Sequence, residues 1–290
     1  MDRVSMGIQS TKEKLASTGQ TFRFGPEVIL QLATAATLMV MAAVAIFVVK
    51  GAVNSVLLVN LESGLILMAA VNSVAIAAGA VVIALPVGLV SALYITELAP
   101  SQSAKTFWTA IKMLSAVPSV VIGFIGLVWL GYTGSSQVTS PLRTSVAASL
   151  LLALMVYPPL TSFLIEHLRR IPASLRASSY ALGASRWQTI AYTVYPAARS
   201  IIAAAGFFGL SRAMGDTAIV LMLWQAAVRS SLVGSQGSRL FTIPTAIIMG
   251  AERGWHHSGS FLMALLIVIL SLGFSALGRR FMQSHWRGQE

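Results

Sequence analysis

Long apolar runs are the feature that most constrains how this chain folds. Six stretches carry roughly the 20 mostly apolar residues that a helix needs to cross the hydrocarbon core of a membrane. They are Val28–Val49, Gly64–Ile95, Met113–Gly131, Val146–Ile165, Ser200–Ala227 and Gly259–Gly278. The alternation over about ten residues that marks the strands of a membrane barrel is absent from them. The sequence therefore predicts an all-α polytopic membrane protein with six transmembrane helices.

Composition excludes most other classes of protein. The chain is 56% hydrophobic and 10% charged, whereas a soluble domain carries about 25% charged residues. With no cysteine, it has no disulfide framework and no thiol nucleophile. His256 and His257 lack a third ligand nearby, so no metal site is expected. The net charge of +11 is scattered between apolar runs, which indicates membrane-flanking loops and not a nucleic-acid surface.

The basic residues also predict the topology. If both termini are cytoplasmic, the inner segments hold fourteen Lys and Arg residues and the outer segments hold five. Cytoplasmic loops are enriched in these residues, so both termini are expected inside. The expected organisation is a cytoplasmic tail (1–26), a transmembrane domain (27–278) and a second tail (279–290). In the longest external loop, Val228–Ser258, the apolar patch Leu240–Gly250 either dips into the membrane or packs on the bundle.

Two ionisable residues lie inside the fifth stretch. Arg212 and Asp216 are four residues apart, so a continuous helix puts them on one face, where they can pair. Each costs about 2.5–3.5 kcal/mol near mid-membrane. A structural ion pair is one interpretation, although two apolar residues would avoid the penalty. The other is an anion site, because a guanidinium fork matches an oxyanion. Small residues around the pair predict close approach of neighbouring helices.

Asp216 also suggests a basis for selectivity. Phosphate near neutral pH keeps a proton that it can donate to a carboxylate, whereas fully ionised sulfate has none and meets only repulsion. We therefore expect a site with one cation and one acid to favour phosphate over sulfate.

The cytoplasmic loop Glu166–Arg199 predicts two short helices. Ala173–Leu182 has helical composition after Pro172, and Gly183 ends this helix because glycine reaches the left-handed conformation without a Cβ clash. Ser185–Val194 then forms a second helix, with its apolar residues Trp187, Ile190 and Val194 on one side. The two helices predict a rigid elbow on the cytoplasmic face.

This loop resembles the coupling loop of ABC importer permeases. That family's pattern begins Glu-Ala-Ala with glycine at the seventh position. Here Ala177-Ser178-Ser179 is followed by Gly183-Ala184, and Val194-Tyr195-Pro196 closes the pattern. The glutamate is missing, so its contact with the ATPase falls to Arg176 or Ser178, or is not made. The alternative is a basic interfacial helix that only holds phospholipid headgroups.

A second motif resembles one transporter type more specifically. The segment Arg212-Ala213-Met214-Gly215-Asp216-Thr217 is similar to the Arg-Ala-x-Gly-Glu-Thr signature of the membrane subunits of bacterial phosphate ABC transporters, with Asp216 in place of Glu. The segments Leu85–Glu97 and Leu114–Leu127 also resemble the family, in the family's order. The second of these segments contains the motif Pro-Ser-Val-Val-x-Gly-Phe, which is more similar to the PstC type of subunit than to the PstA type. Pro118-Ser119 within it is expected to break the third helix, which frees backbone groups.

The resemblance implies a permease subunit of an ATP-driven phosphate importer in the bacterial inner membrane, a transport subunit and not an enzyme. It implies a second permease subunit (a sister chain or a copy), two ATPase subunits that bind ATP and Mg, and an external phosphate-binding protein. The chain itself has no Walker motif and no expected cofactor. The implied pathway residues are Ser119, Arg212, Asp216 and Thr217. The implied coupling residues are Arg176, Ala177, Ser178, Ser179, Gly183, Ala184 and Trp187.

Three alternatives remain beside this interpretation. The substrate could be another oxyanion, such as sulfate, molybdate or a phosphonate. The chain could instead be an anion channel or carrier that needs no ATPase. A membrane-embedded enzyme is disfavoured, because Asp216 is the only acid deep in a predicted span and no histidine lies within one.

Overall fold

The computed structural model describes residues 26–58, 63–132, 141–229, 241–252 and 259–286, and every regular element in these ranges is helical. We number the helices α1 Pro26–Leu58, α2 Ser63–Leu93, α3 Ser101–Leu114, α4 Ser119–Tyr132, α5 Pro141–Leu168, α6 Ala173–Ala181, α7 Arg186–Ala197, α8 Arg199–Met214, α9 Ala218–Arg229, α10 Ile243–Glu252 and α11 Ser260–Trp286. A π-helical turn, Tyr94–Leu98, follows α2, and another, Ile190–Val194, lies within α7. The all-helical prediction is confirmed. The predicted N-terminal tail lies outside the described residues except for Pro26, and α11 continues past residue 278.

The first, second, fourth and sixth apolar stretches form helices that are long enough to cross a membrane. Four continuous helical segments qualify by length and composition, namely Val28–Asn54, Gly64–Leu98, Thr144–Leu168 and Ser260–Gln283. Two bent pairs raise the number to as many as six in the described part of the chain: α3 with α4, bent by 77°, and α7 with α8, bent by 64°. Prolines do not interrupt the long helices, since α2 contains Pro86 and α5 contains Pro158 and Pro159.

The third and fifth stretches are broken. The expected break at Pro118-Ser119 is confirmed, because α3 ends at Leu114 and α4 begins at Ser119. The expectation of one continuous helix over Ser200–Ala227 is wrong. Its helix stops at Met214 and resumes at Ala218, because the side chain of Asp216 hydrogen-bonds the backbone that begins the next helix.

The described residues fall into two compact units, which divide in sequence between residues 50 and 51. In the first, the described part of α1 exposes its large apolar side chains along its length. In the second, α2 packs along α5, and α8 packs on α2, α5 and α11. Gly209 of α8 shows why small residues are needed, since a Cβ there would lie 2.9 Å from Leu160 Cδ1 and 3.1 Å from Val81 Cγ2.

The described part of the apolar patch Leu240–Gly250 packs on the bundle. It forms α10, whose first residue Ile243 is fully buried. The amide of Ile243 donates to Ser73 Oγ at 2.8 Å, and Asn72 Nδ2 donates to the carbonyl of Phe241 at 3.1 Å. Ser73 lies about 15 Å along α2 from its first residue, at a rise of about 1.5 Å per residue. The start of α10 is therefore tied to the interior of a membrane-length helix.

Candidate functional site

A cavity of about 630 Å³ opens where the two helix breaks meet. One wall is the non-helical segment Ser115–Pro118 between α3 and α4, and another is Gly215–Thr217 between α8 and α9. Helix α5 contributes Met155 and Pro159, and Arg212 projects from α8. The four residues predicted for a substrate pathway, which are Ser119, Arg212, Asp216 and Thr217, all line this cavity. The geometry brings them together, and their role in transport stays a prediction.

Arg212 and Asp216 do not pair as expected. Arg212 lies in the last turn of α8, and Asp216 lies beyond the end of that helix, so the two are no longer on one helical face. The Asp216 side chain instead accepts a hydrogen bond at Oδ1 from the amide of Ile219, at 3.1 Å, in the first turn of α9. Within the described residues no ion pair joins the two.

This arrangement leaves the guanidinium charge available to the cavity. Arg212 is exposed, whereas Asp216 is buried, with 7% of its surface accessible. The negative end of the α8 dipole favours a cation in its last turn, and the positive end of α9 favours the Asp216 carboxylate. Each charge is thus partly stabilised by a helix end, so neither depends on the other.

A second helix start also faces the cavity. Helix α4 begins at Ser119 on the cavity wall and has no acidic residue in its first turn. The partial positive charge of its N-terminus is therefore not neutralised from within the helix. Together with Arg212, this helix start favours an anion in the cavity, while Asp216 provides a hydrogen-bond acceptor.

Sequence reasoning missed part of the cavity wall. Met155 and Pro159 of α5 line it, and neither was singled out from the sequence as a site residue. The prolines at 158 and 159 were the available signal, because residues that remove backbone donors inside a membrane helix tend to lie beside a polar cavity.

The predicted elbow forms at Gly183. This residue has φ of +81°, and its amide donates to the carbonyl of Tyr180 while that of Ala184 donates to Ser179. Ser185 then begins α7 with a capping box: its Oγ accepts from the amide of Gln188, and Gln188 Oε1 accepts from the amide of Ser185. The prediction that glycine ends the first helix is confirmed.

One expected coupling residue points into the protein. Arg176 of α6 donates two hydrogen bonds to the Glu97 carboxylate, from Nε to Oε2 at 3.0 Å and from Nη2 to Oε1 at 2.7 Å. It also donates to the carbonyls of Ile171, at 2.8 Å, and Leu168, at 3.2 Å. The side chain of Glu97 is 6% exposed. Arg176 therefore joins the elbow to the end of α2, so it does not replace the missing glutamate in an outward contact.

The outer surface of the elbow combines small residues with large apolar side chains. Ala177 and Ser178 are exposed, whereas Ser179 and Ala184 are half-buried, and Ser179 Oγ lies 3.1 Å from Thr189 Oγ1. Two large apolar side chains near Gly183 are strongly exposed, Leu182 at 89% and Trp187 at 69%.

The expectation that Trp187 shares one side of α7 with Ile190 and Val194 is wrong. Ile190 and Val194 are buried, whereas Trp187, in the first turn of α7 before the π-turn, is exposed. Leu182 was not singled out from the sequence. Its place beside the helix-ending glycine was the available signal.

No metal site is found in the part of the chain that the structure describes. His256 and His257 lie outside the described residues.

A family model matches most of the chain. Residues 84–285 match the binding-protein-dependent transport system inner membrane component. The chain belongs to this family. It is therefore a multi-pass membrane protein of the ABC transporter class and a transport subunit, and the matched range includes the elbow, the cavity and the Arg212 motif.

Individual relatives agree with this assignment. The chain is 37% identical over 142 residues to the probable ABC transporter permease protein YqgH of Bacillus subtilis, covering 49% of this chain and 46% of that protein. It is 32% identical over 170 residues to the phosphate transport system permease protein PstC of Mycobacterium leprae, covering 52% and 53%. It is 28% identical over 212 residues to PstA 1 of Mycobacterium tuberculosis, covering 72% and 68%. The chain spans about half the length of the first two.

Solved structures share the fold. A chain of the MetNI methionine ABC transporter, in inward-facing conformations, aligns with a TM-score of 0.58 at 17% identity, covering 78% of this chain and 99% of that one. A chain of a bacterial alginate ABC transporter, in complex with an alginate pentasaccharide-bound periplasmic protein, aligns with a TM-score of 0.64 at 16% identity, covering 87% and 91%.

Proposed function

We propose that this chain is a permease subunit of an ATP-driven importer of inorganic phosphate. The observation that carries the proposal is the cavity at the two helix breaks. There the guanidinium of Arg212, which makes no ion pair with another described residue, faces the same space as the start of α4 and the Asp216 carboxylate. Membrane transporters commonly hold anions at the N-termini of broken helices. The relatives named as phosphate permeases support phosphate as the anion.

Arg212 supplies attraction and Asp216 supplies selectivity in this proposal. The guanidinium binds the oxygens of the anion through its planar donors. Phosphate that still carries a proton donates it as a hydrogen bond to Asp216 Oδ2, while Oδ1 stays on the amide of Ile219. Sulfate has no proton to donate and is repelled by the same carboxylate. Rejection of sulfate or molybdate distinguishes a phosphate permease from a general oxyanion permease.

Binding at this site is weak and transient. The cavity of about 630 Å³ is far larger than the about 30 Å³ that one water molecule occupies, so an oxyanion in it stays hydrated and is not enclosed. A site of this kind lets the anion leave as readily as it enters, which suits a transport pathway.

The elbow is the proposed contact with the ATPase. Leu182 and Trp187 provide the exposed apolar contact area, Ala177 and Ser178 allow close approach, and the Arg176–Glu97 ion pair passes the displacement of α6 to α2. In this proposal two ATPase subunits bind ATP and Mg on the cytoplasmic side, where both termini lie. A second permease subunit, a sister chain or a copy, completes the pathway, and a phosphate-binding protein delivers the substrate outside.

Selective uptake tests the substrate. Proteoliposomes that contain the chain with its copurifying subunits are loaded with ATP inside, the binding protein that delivers the substrate is added outside, and uptake of radiolabelled phosphate and sulfate is compared for the wild type and Asp216→Asn. The wild type is expected to take up phosphate and reject sulfate. The variant keeps the hydrogen bond to Ile219 through its amide oxygen but loses the charge, so it is expected to admit sulfate. Equal sulfate uptake by both would contradict the proposed role of Asp216.

ATP dependence tests the class of transporter. Uptake that persists without ATP, or without any ATPase bound to the chain, would instead support the channel or carrier.

A further inference from the structure

A basic flank of α3 has no place in the transport pathway proposed above. This helix lies between the end of α2 and the 77° bend into α4. Lys105 and Lys112 are seven residues apart and thus lie on the same side of the helix, while Phe107 and Leu114, also seven apart, lie along another side. All four are exposed. A helix with separate basic and apolar exposed sides is suited to lie along a membrane surface.

The indole of Trp108 gathers two cations on this flank. Lys112 Nζ lies 4.0 Å from the ring centroid, and the guanidinium carbon of Arg169, at the end of α5, lies 4.2 Å from it. Trp108 Nε1 is buried and has no hydrogen-bond partner among the described residues. The observed contacts of the ring with charged groups are thus with its π-system, which attracts cations.

Two positive charges on one ring repel each other, so the arrangement favours an anion that they can share. Arg170 is exposed beside Arg169 and adds a third cation, and Lys105 adds a fourth on the same flank of α3. The acidic residue in this part of α5 is Glu166, which is also exposed. The cluster therefore remains strongly cationic.

The cluster lies on the elbow side of the protein. Arg169 ends α5 just before α6, and the ion pair of Glu97 with Arg176 ties α6 to the turn that leads into α3. Basic side chains beside an apolar strip at a membrane boundary have charge and shape complementary to an anionic phospholipid. Long basic side chains reach the headgroups while their stems stay on apolar surface.

We propose that Lys112 and Arg169, held on Trp108, bind the headgroup phosphate of an anionic phospholipid and so fix α3 in the membrane surface. Trp108 is a positioning residue, because it orders the two cations and does not itself contact the lipid. The exposed strip of Phe107 and Leu114 then lies toward the acyl chains.

Native mass spectrometry of the full chain in a neutral detergent tests this site. Phosphatidylglycerol or phosphatidylcholine is titrated into the wild type, into Lys112→Gln/Arg169→Gln, and into the control Arg186→Gln/Arg199→Gln, which removes two exposed cations elsewhere. The site variant is expected to bind phosphatidylglycerol about 25-fold more weakly, roughly fivefold for each charge, and the control is expected to match the wild type. Trp108→Leu keeps both cations and is expected to weaken binding, with Trp108→Phe restoring most of it.

Several outcomes would overturn the proposal. These are equal binding of phosphatidylglycerol by the site variant and the control, equal binding of both lipids by the wild type, or no effect of Trp108→Leu. In lipid-free micelles, inorganic phosphate should raise the melting temperature of the wild type by no more than it raises that of the Lys112→Gln/Arg169→Gln variant. If the wild type is stabilised more than the variant, the site holds the free anion and the lipid proposal fails.

Discussion

Replacing Arg176 by glutamine should destabilise the protein more than replacing its partner Glu97 by glutamine. The guanidinium makes four hydrogen bonds, two to the carboxylate and two to the carbonyls of Leu168 and Ile171. Its removal leaves a carboxylate that is 6% exposed without a counter-charge. Removing the carboxylate charge leaves an arginine that keeps both carbonyl acceptors.

The expected losses in the free energy of unfolding differ between the two variants for this reason. Loss of one partner of a buried ion pair costs about 3–5 kcal/mol. The Arg176 side chain is 20% exposed, so water reaches the site and Arg176→Gln falls at the lower end, about 3 kcal/mol. In Glu97→Gln the amide oxygen still accepts from the guanidinium, so we expect a loss of about 1–1.5 kcal/mol.

A double-mutant cycle measures the pair. The free energy of unfolding of the full chain is measured by reversible denaturation in mixed micelles for the wild type, both single variants and the double variant. The double variant is expected to be more stable than Arg176→Gln alone, because it contains no unpaired buried carboxylate. If the two single variants are equally stable and their effects simply add, the ion pair is not a buried coupled contact and our account of the elbow is wrong.

Three further predictions concern other parts of the fold. Gly183→Ala should lower the free energy of unfolding by about 1–2 kcal/mol, because alanine is strained in the left-handed conformation. The elbow should survive, because no atom lies within 4 Å of the added Cβ. Gly183→Pro should abolish copurification of the ATPase, because proline fixes φ near −65°. Ser73→Ala leaves the buried amide of Ile243 unpaired and should lower the free energy of unfolding by about 1–3 kcal/mol; the control Ser178→Ala, which loses only a bond within its own exposed helix, should change it by less than about 0.5 kcal/mol, and equal effects would contradict the tie to α10. Asp216→Ala should cost about 1 kcal/mol through loss of the hydrogen bond to α9, and Asp216→Asn only a few tenths; a thermal denaturation series with the order reversed would refute the capping role.

Most of the architecture could be predicted from the sequence because it depends on local composition. Apolar length alone identifies the membrane helices, and the proline at 118 and the glycine at 183 act on their own backbone. The break after Met214 was not predicted. Gly215 and Asp216 were read as part of a helix, although aspartate is typical of helix starts, where its short side chain reaches the first amides.

Contacts between distant parts of the chain could not be predicted in the same way. Arg176 and Glu97 are 79 residues apart, and nothing in the local pattern of α6 indicates that the arginine turns inward. The four residues predicted for a substrate pathway nevertheless line one cavity, and their role in transport stays a prediction. Ser119 and Thr217 border helix breaks, and Arg212 is an ionisable residue too costly to place in a membrane span without a purpose.

Phosphate uptake by Arg212→Gln tests the central claim most directly. The matched control is Arg199→Gln, which makes the same change at an exposed arginine at the start of the same helix, outside the cavity. Both variants are assembled with the copurifying subunits and assayed in proteoliposomes with ATP inside and the substrate-binding protein outside. We expect Arg199→Gln to retain uptake near that of the wild type and Arg212→Gln to lose at least about tenfold, equivalent to the about 1.4 kcal/mol of one charge-assisted hydrogen bond. Equal uptake by the two assembled variants would contradict the assignment of the cavity as the anion pathway.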